Sequence, residues 1–169
     1  MQIIFLPTWL TILICFPLWF ALQWIASYIC LHLPESIFAP ESFFFKTHGF
    51  EEEGQIYEKL FRVRSWKHLL PDGGVVWNKD GFKKKHLESF SVENLERFLI
   101  ESARAELTHW LAIPPFLLFG LFTPPQALWF MLAYALMVNL PCIIAQRFNR
   151  PRAQRLLQRK RAKLANFPQ

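Results

Sequence analysis

The sequence predicts an all-α integral membrane protein, and three observations carry that reading. The 169-residue chain is 53% hydrophobic and 17% aromatic, with 18 Phe and 7 Trp, more large apolar side chains than a soluble domain of this size can hide. Residues 5–33 and 110–145 contain no Asp, Glu, Lys or Arg. All 19 Lys and Arg lie either between Glu35 and His109 or after Ala145. The expected architecture is one membrane domain over residues 1–169. It has an N-terminal transmembrane helix (5–33), a cytoplasmic and interfacial segment of amphipathic helices (34–109), a transmembrane or re-entrant apolar hairpin (110–145) and a basic surface helix (146–169).

Phe5 to Leu33 exceeds the ~20 apolar residues that cross a bilayer. A cleaved signal peptide is the competing reading; only Gln2 precedes the apolar run, so the basic n-region is missing, and the run is too long. Pro7 and Pro17 are positions for a bend. Gln23, polar at mid-depth, is read as an interhelical hydrogen bond. Pro34 ends the span.

The next stretch, SIFAPESFFFKTHGFEEEG (36–54), is expected at the interface or folded against the spans through Phe43–Phe45. Glu51, Glu52 and Glu53 read as a solvated charge run. Gln55 to Leu70 reads as a short amphipathic helix with Ile56, Leu60 and Val63 on one face, suited to an interface. Pro71–Gly74 and Asn78–Gly81 are turns, and Lys83–Lys85 form a basic knot. Ser91 is the expected N-cap of a helix running to about Trp110, with Glu93 in its first turn. At 100° per residue, Arg97, Glu101, Arg104 and Thr108 share one side of this helix. Glu106 and His109 fall on the other side, among Leu95, Phe98, Leu99 and Ser102.

In the hairpin, Trp110 to Phe122 is short and holds Pro114, Pro115 and Gly120; Gln126 to Ala145 is a fuller span containing Asn139 and Pro141. The sequence leaves open whether the hairpin crosses or re-enters. Pro151 suits the first turn of a separate final helix capped by Asn149, whose stripe Ala153, Leu156, Leu157 and Leu164 is expected on the membrane surface. The 34–109 loop carries 11 of the 19 Lys and Arg and the tail the other 8, which predicts that both are cytoplasmic.

The net charge of +6 flanks apolar spans, so anionic headgroups explain it more simply than nucleic acid. No aromatic-basic RNA motif or zinc-finger spacing is present. Cys15, Cys30 and Cys142 lie in apolar runs and read as buried small side chains. No Gly-rich phosphate loop, G-x-S-x-G or H-E-x-x-H occurs. His32, His48 and His86 lack metal-ligand company, so no metal and no cofactor are expected.

Three constellations are candidates for chemistry. Glu106 and His109, at i and i+3, can meet on one helix face, and a carboxylate makes an imidazole a better general base; the plainer reading is a structural ion pair. His68 and Asp72 form H-x-x-x-D, one residue short of the His–Asp spacing of many glycerolipid acyltransferases; the plainer reading is a capped turn. Arg147, Asn149 and Arg150 can bind phosphate or carboxylate oxygens, against headgroup anchoring.

The runs RVRSWKHLLPDGG (62–74), IESARAELTHW (100–110) and NLPCIIAQRFNRPR (139–152) resemble, in the same order, the glycosyl-4,4'-diaponeurosporenoate acyltransferases, the last enzymes of staphyloxanthin synthesis. Chain length, the N-terminal apolar segment and the hairpin match as well. The resemblance implies esterification of the 6-hydroxyl of a glucose on a carotenoid with a fatty acyl group; it does not fix the acceptor.

With that resemblance, His109 oriented by Glu106 is the expected general base. Arg147, Asn149 and Arg150 are expected at the donor's phosphates or the oxyanion. Arg104 is expected among the substrate-binding residues as well, pairing with Glu101 to brace the helix, and His68 with Asp72 is the reserve base. The expected partners are membrane lipid, a lipid-linked sugar acceptor and an acyl-CoA or acyl-carrier donor, with no nucleic acid; oligomeric state stays open. The rival reading is a non-enzymatic membrane scaffold or assembly protein.

Overall fold

A computed structural model describes residues 2–39, 41–70 and 91–166. Among the described residues the regular structure is entirely helical. The helices are α1 (Thr8–His32), α2 (Gln55–Phe61), α3 (Val63–Trp66), α4 (Val92–Leu111), α5 (Phe116–Phe119) and α6 (Pro125–Asn166). Short 3-10 turns span Glu35–Phe38, Gly49–Gly54 and Lys67–Leu69. Two of the helices, α1 and α6, are long and apolar enough to cross a membrane. Their large apolar side chains stand largely open: Trp9, Phe16 and Phe20 on α1, Trp129 and Phe130 on α6. Such a surface is stable against lipid tails and costly against water.

The chain forms two compact units. One comprises Met1–Leu33 with Leu107–Ile143, the other Pro34–Glu106 with Ile144–Gln169. In the first, Trp19 packs with Phe119, Phe122 and Ala135; its ring lies 5.3 Å from Phe119 and 5.0 Å from Tyr134. Gln23 donates to the Ala112 carbonyl at 3.4 Å, a bond from α1 to the turn just after α4 where an interhelical bond was expected. The first arm of the hairpin holds no span-length helix. Pro114 and Pro115 break it into turns and the four-residue α5, whose Phe119 is buried.

In the second unit, Leu95 and Leu99 of α4 pack against Leu157, Ala153 and Leu156 of α6. The tail stripe expected on a membrane surface therefore has a protein partner, and Leu164 alone of its members is exposed. The Ser91 hydroxyl caps α4, accepting from the Asn94 amide at 3.2 Å. The buried face of α4 comprises Leu95, Phe98, Leu99, Ser102, Ala103 and Glu106, in keeping with its projected periodicity.

Two expectations are corrected. The helix expected over 55–70 is broken at Arg62, which adopts φ 48°. Its amide bonds the Glu58 carbonyl at 3.0 Å, and the Glu58 carboxylate accepts from the Arg64 amide at 3.0 Å, covering an N–H that the new turn leaves open. The break buries Val63 completely and leaves Leu60 exposed, so the predicted apolar face divides. The separate final helix capped by Asn149 does not form either, because α6 runs unbroken through Pro141 and Pro151. Proline at 151 cannot donate to the Arg147 carbonyl four residues back. That carbonyl lies against Gly54, where a Cβ would come within 3.3 Å of Arg147 O and 3.0 Å of Phe148 O.

Candidate active site

Among the described residues each unit holds a buried polar centre built from side chains distant in sequence. In the first unit, His109 on the last turn of α4 meets Asn139 of α6. The Asn139 side chain is fully buried. Its Nδ2 donates to the Ala135 carbonyl at 2.8 Å. That bond turns Oδ1, an acceptor only, toward His109 Nδ1 at 2.9 Å. Nδ1 therefore carries a proton, and Nε2 is the ring's other nitrogen for proton chemistry. An imidazole held in one tautomer by its second nitrogen is equipped to take a proton.

The second unit holds a cluster of four charges. Glu106 accepts from Arg147 Nε at 2.6 Å on Oε1 and from Arg150 Nη2 at 2.5 Å on Oε2. Arg147 also donates through Nη1 to Glu51 at 3.0 Å and through Nη2 to the Phe44 carbonyl. Arg150 completes its contacts on the Phe45 carbonyl at 3.0 Å and the Ser102 carbonyl at 3.2 Å. The Tyr57 hydroxyl donates to the other Glu51 oxygen at 3.0 Å, and the His48 amide bonds Oε1 at 3.1 Å. Burial, then the Glu51 carboxylate beside it, pushes the Tyr57 phenol well above its ordinary range.

Two carboxylates balance two guanidiniums, so the cluster is neutral as a whole. Glu51 and Glu106 are fully buried and Arg150 is 1% exposed. Charges desolvated to this degree persist when paired; Arg150 Nη1 and Nη2 are bonded while its buried Nε finds no partner, and removing one charge strands its partner at a cost of about 3–5 kcal/mol.

The sequence-predicted residues fall as follows. Glu106, Arg147 and Arg150 come together, but as mutual partners. The Glu106 oxygens that were expected to orient His109 serve the two arginines. Arg150 offers almost no surface on which a donor phosphate could rest. Asn149 accepts from Lys67 Nζ at 2.8 Å, and that ammonium lies 5.0 Å over the Phe148 ring. Arg104 pairs with Glu101 at 3.3 Å, as expected, and stacks 5.1 Å from the Phe38 ring. His68 sits exposed in the Lys67–Leu69 turn; Asp72, its expected partner, lies outside the described residues.

Glu51 overturns the reading of residues 51–53 as a solvated run. Glu52 and Glu53 are exposed and pair with Lys59 and Arg155, while Glu51 turns inward. Glu51 accepts from the His48 amide three residues before it, at the start of the Gly49–Gly54 turn; with His in place of Ser or Thr, that spacing is no capping-box signal in the sequence. Tyr57 gave no signal. Asn139 was visible only as a polar residue within an apolar span.

A family model described as glycosyl-4,4'-diaponeurosporenoate acyltransferase matches residues 40–159. Relatives bearing that same name in Staphylococcus aureus strains MRSA252, USA300 and NCTC 8325 / PS 47 are each 34% identical over 148 residues, 88% of this chain and 88% of theirs. No solved structure matches the chain.

Proposed function

Because the chain belongs to the glycosyl-4,4'-diaponeurosporenoate acyltransferase family, we propose that it transfers a fatty acyl group from a thioester donor to the 6-hydroxyl of a glucose carried on a carotenoid or a related lipid. The observation that supports a role for this chain's own residues is the Asn139–His109 hydrogen bond. His109 Nε2 takes the proton of the sugar hydroxyl as its oxygen attacks the thioester carbonyl. The carbon–sulfur bond then breaks, and the departing thiolate receives that proton from the imidazolium. The products are the sugar ester and a free thiol. In this reading Asn139 holds the base, the task that helical spacing alone had given to Glu106, and the Glu51–Glu106–Arg147–Arg150 cluster braces its own unit. His68 is the reserve base.

His109→Gln is the deciding variant, because it keeps a hydrogen-bonding side chain and removes the base. Acyl product is measured against folded membrane protein. The expected result is a loss of about 10²–10⁴-fold, with unacylated glycolipid accumulating and protein level unchanged. Near-normal specific activity would remove His109 from the mechanism and move the assignment to His68.

We also infer that the 34–109 segment and the tail face the cytoplasm, on the distribution of Lys and Arg. Cysteines placed at Lys84 and Lys160, in a chain lacking Cys15, Cys30 and Cys142, should resist an impermeant thiol reagent in intact cells. Labelling of either from outside would reverse the orientation.

A further inference from the structure

Within the second unit, the corner where α2 meets α3 and the basic stretch of α6 border an open hollow of about 270 Å³, and α6 alone lines an adjoining one of about 390 Å³. Arg152 and Arg155 line both; Lys59, Arg64 and the Glu58 carboxylate border the first and Arg159 the second. Five cations thus face one carboxylate. Lys59 is paired with Glu52 and Arg155 with Glu53. Among the described residues no carboxylate forms an ion pair with Arg64, Arg152 or Arg159.

One guanidinium of the groove is held in place by the protein itself. The Arg152 guanidinium lies 3.6 Å over the Phe148 ring and donates to the Phe148 carbonyl. The backbone of Arg64 is set by the left-handed Arg62 and by the bond from its amide to Glu58. Like charges crowd here: burial, then Arg152 and Arg64, lowers the ordinary range of the neighbouring Lys67 ammonium. Guanidiniums gathered without matching carboxylates are suited to phosphate, which each can grip through two N–H groups.

We propose that this groove binds the phosphate groups of a soluble acyl-thioester donor of the coenzyme A type. The inference rests on the acyltransferase reading for the donor's identity, and it places donor recognition on Arg64, Arg152 and Arg159 rather than on the buried Arg150. A soluble donor fits better than a lipid headgroup. In the first hollow the guanidiniums come from two elements, Arg64 from α3 and Arg152 and Arg155 from α6, whereas a bilayer presents its phosphates in one plane. A coenzyme A carries a diphosphate and a further phosphate, enough to engage several arginines together.

The test is isothermal titration of the full-length protein, in an uncharged detergent, with coenzyme A and with its 3'-dephospho form. Coenzyme A should bind, the dephospho form more weakly, and inorganic pyrophosphate should displace both. Arg64 and Arg159 are exposed, so Arg64→Gln combined with Arg159→Gln should leave the fold intact. The pair should weaken coenzyme A at least about tenfold, while the charge-matched pair Lys46→Gln with Lys163→Gln should not. Failure of the wild-type protein to bind coenzyme A would overturn the proposal, as would equal affinity in the double variant. So would a double variant that loses only its capture of phosphatidylglycerol vesicles, which would assign the groove to lipid. Coenzyme A bound through these arginines, without acyl transfer to a glycosylated carotenoid, would instead leave the groove standing and remove the acceptor from the proposed function.

Discussion

Glu51 and Arg147 form a 3.0 Å ion pair across 96 positions of sequence, with the carboxylate wholly shielded from solvent. Its two neighbours in the same acidic run are open to water. The pair joins the Gly49–Gly54 turn to α6 inside one unit and sets the first prediction. Glu51→Gln should lower the unfolding free energy of that unit by about 3–5 kcal/mol, since it strands part of the Arg147 charge in a desolvated place. Glu52→Gln and Glu53→Gln should stay within about 1 kcal/mol of the parent. Thermal unfolding in detergent compares the three; equal effects would show that burial does not distinguish them.

Gly54 sets a second comparison. Its φ is +85°, and a Cβ there would meet backbone atoms of Phe148 and Arg147 rather than a side chain able to move. Gly54→Ala should cost more than the roughly 1–2 kcal/mol of a left-handed residue alone. Gly49→Ala, with nothing within 4 Å of its Cβ, should be close to neutral. A stable Gly54→Ala protein would mean that the turn can move away from α6.

Tyr57 gives the pH dependence. Its folded-state acidity is weakened by burial and by Glu51, against an unfolded value of about 10. A raised pKa means the folded state holds the proton longer. The stabilisation is therefore complete below about pH 10 and is lost as pH rises beyond that. The unfolding temperature of the parent should fall more steeply above pH 10 than that of Tyr57→Phe. At neutral pH the Phe variant should be weaker by about 1 kcal/mol, the worth of one hydrogen bond. Parallel curves would exclude Tyr57 from the cluster.

Asn139 is tested through turnover. Asn139→Leu removes the acceptor that holds the His109 proton on Nδ1. The value of kcat should fall, by no more than the about 10²–10⁴-fold expected for loss of the base itself, with KM unchanged. A side chain that only packs would instead change the amount of folded protein and leave kcat per folded molecule as it was.

Local patterning made much of the scaffold legible. The uncharged run of α1, the Ser91 cap and the buried face of α4 all follow from periodicity and from the chemistry of helix ends. The arginine partners of Glu106 did not follow. Spacing along one helix offered His109, and the structure supplies Arg147 and Arg150 from a segment more than 40 positions later. Glu51 was hidden for a related reason. Three consecutive glutamates look alike until Glu52, Glu53 and Gly54 take left-handed φ values of 47°, 55° and 85°. Only that backward coil sends one carboxylate inward and two outward. The break at Arg62 was equally invisible, because arginine carries none of the signals that usually mark a left-handed residue.

The four buried charges also act as an address. An apolar stripe such as Leu156–Leu157 can slide by a turn against another apolar stripe at modest cost, since hydrophobic contact has no direction. Arg147 and Arg150 cannot. They occupy successive turns of α6 and grip the two oxygens of one carboxylate, so sliding by one turn would leave ions unmatched in a dry place. Replacing all four with apolar side chains of similar volume would remove the desolvation cost together with the attraction and could leave the unit as stable as before. It would also erase the mark that tells α6 where along α4 to stop.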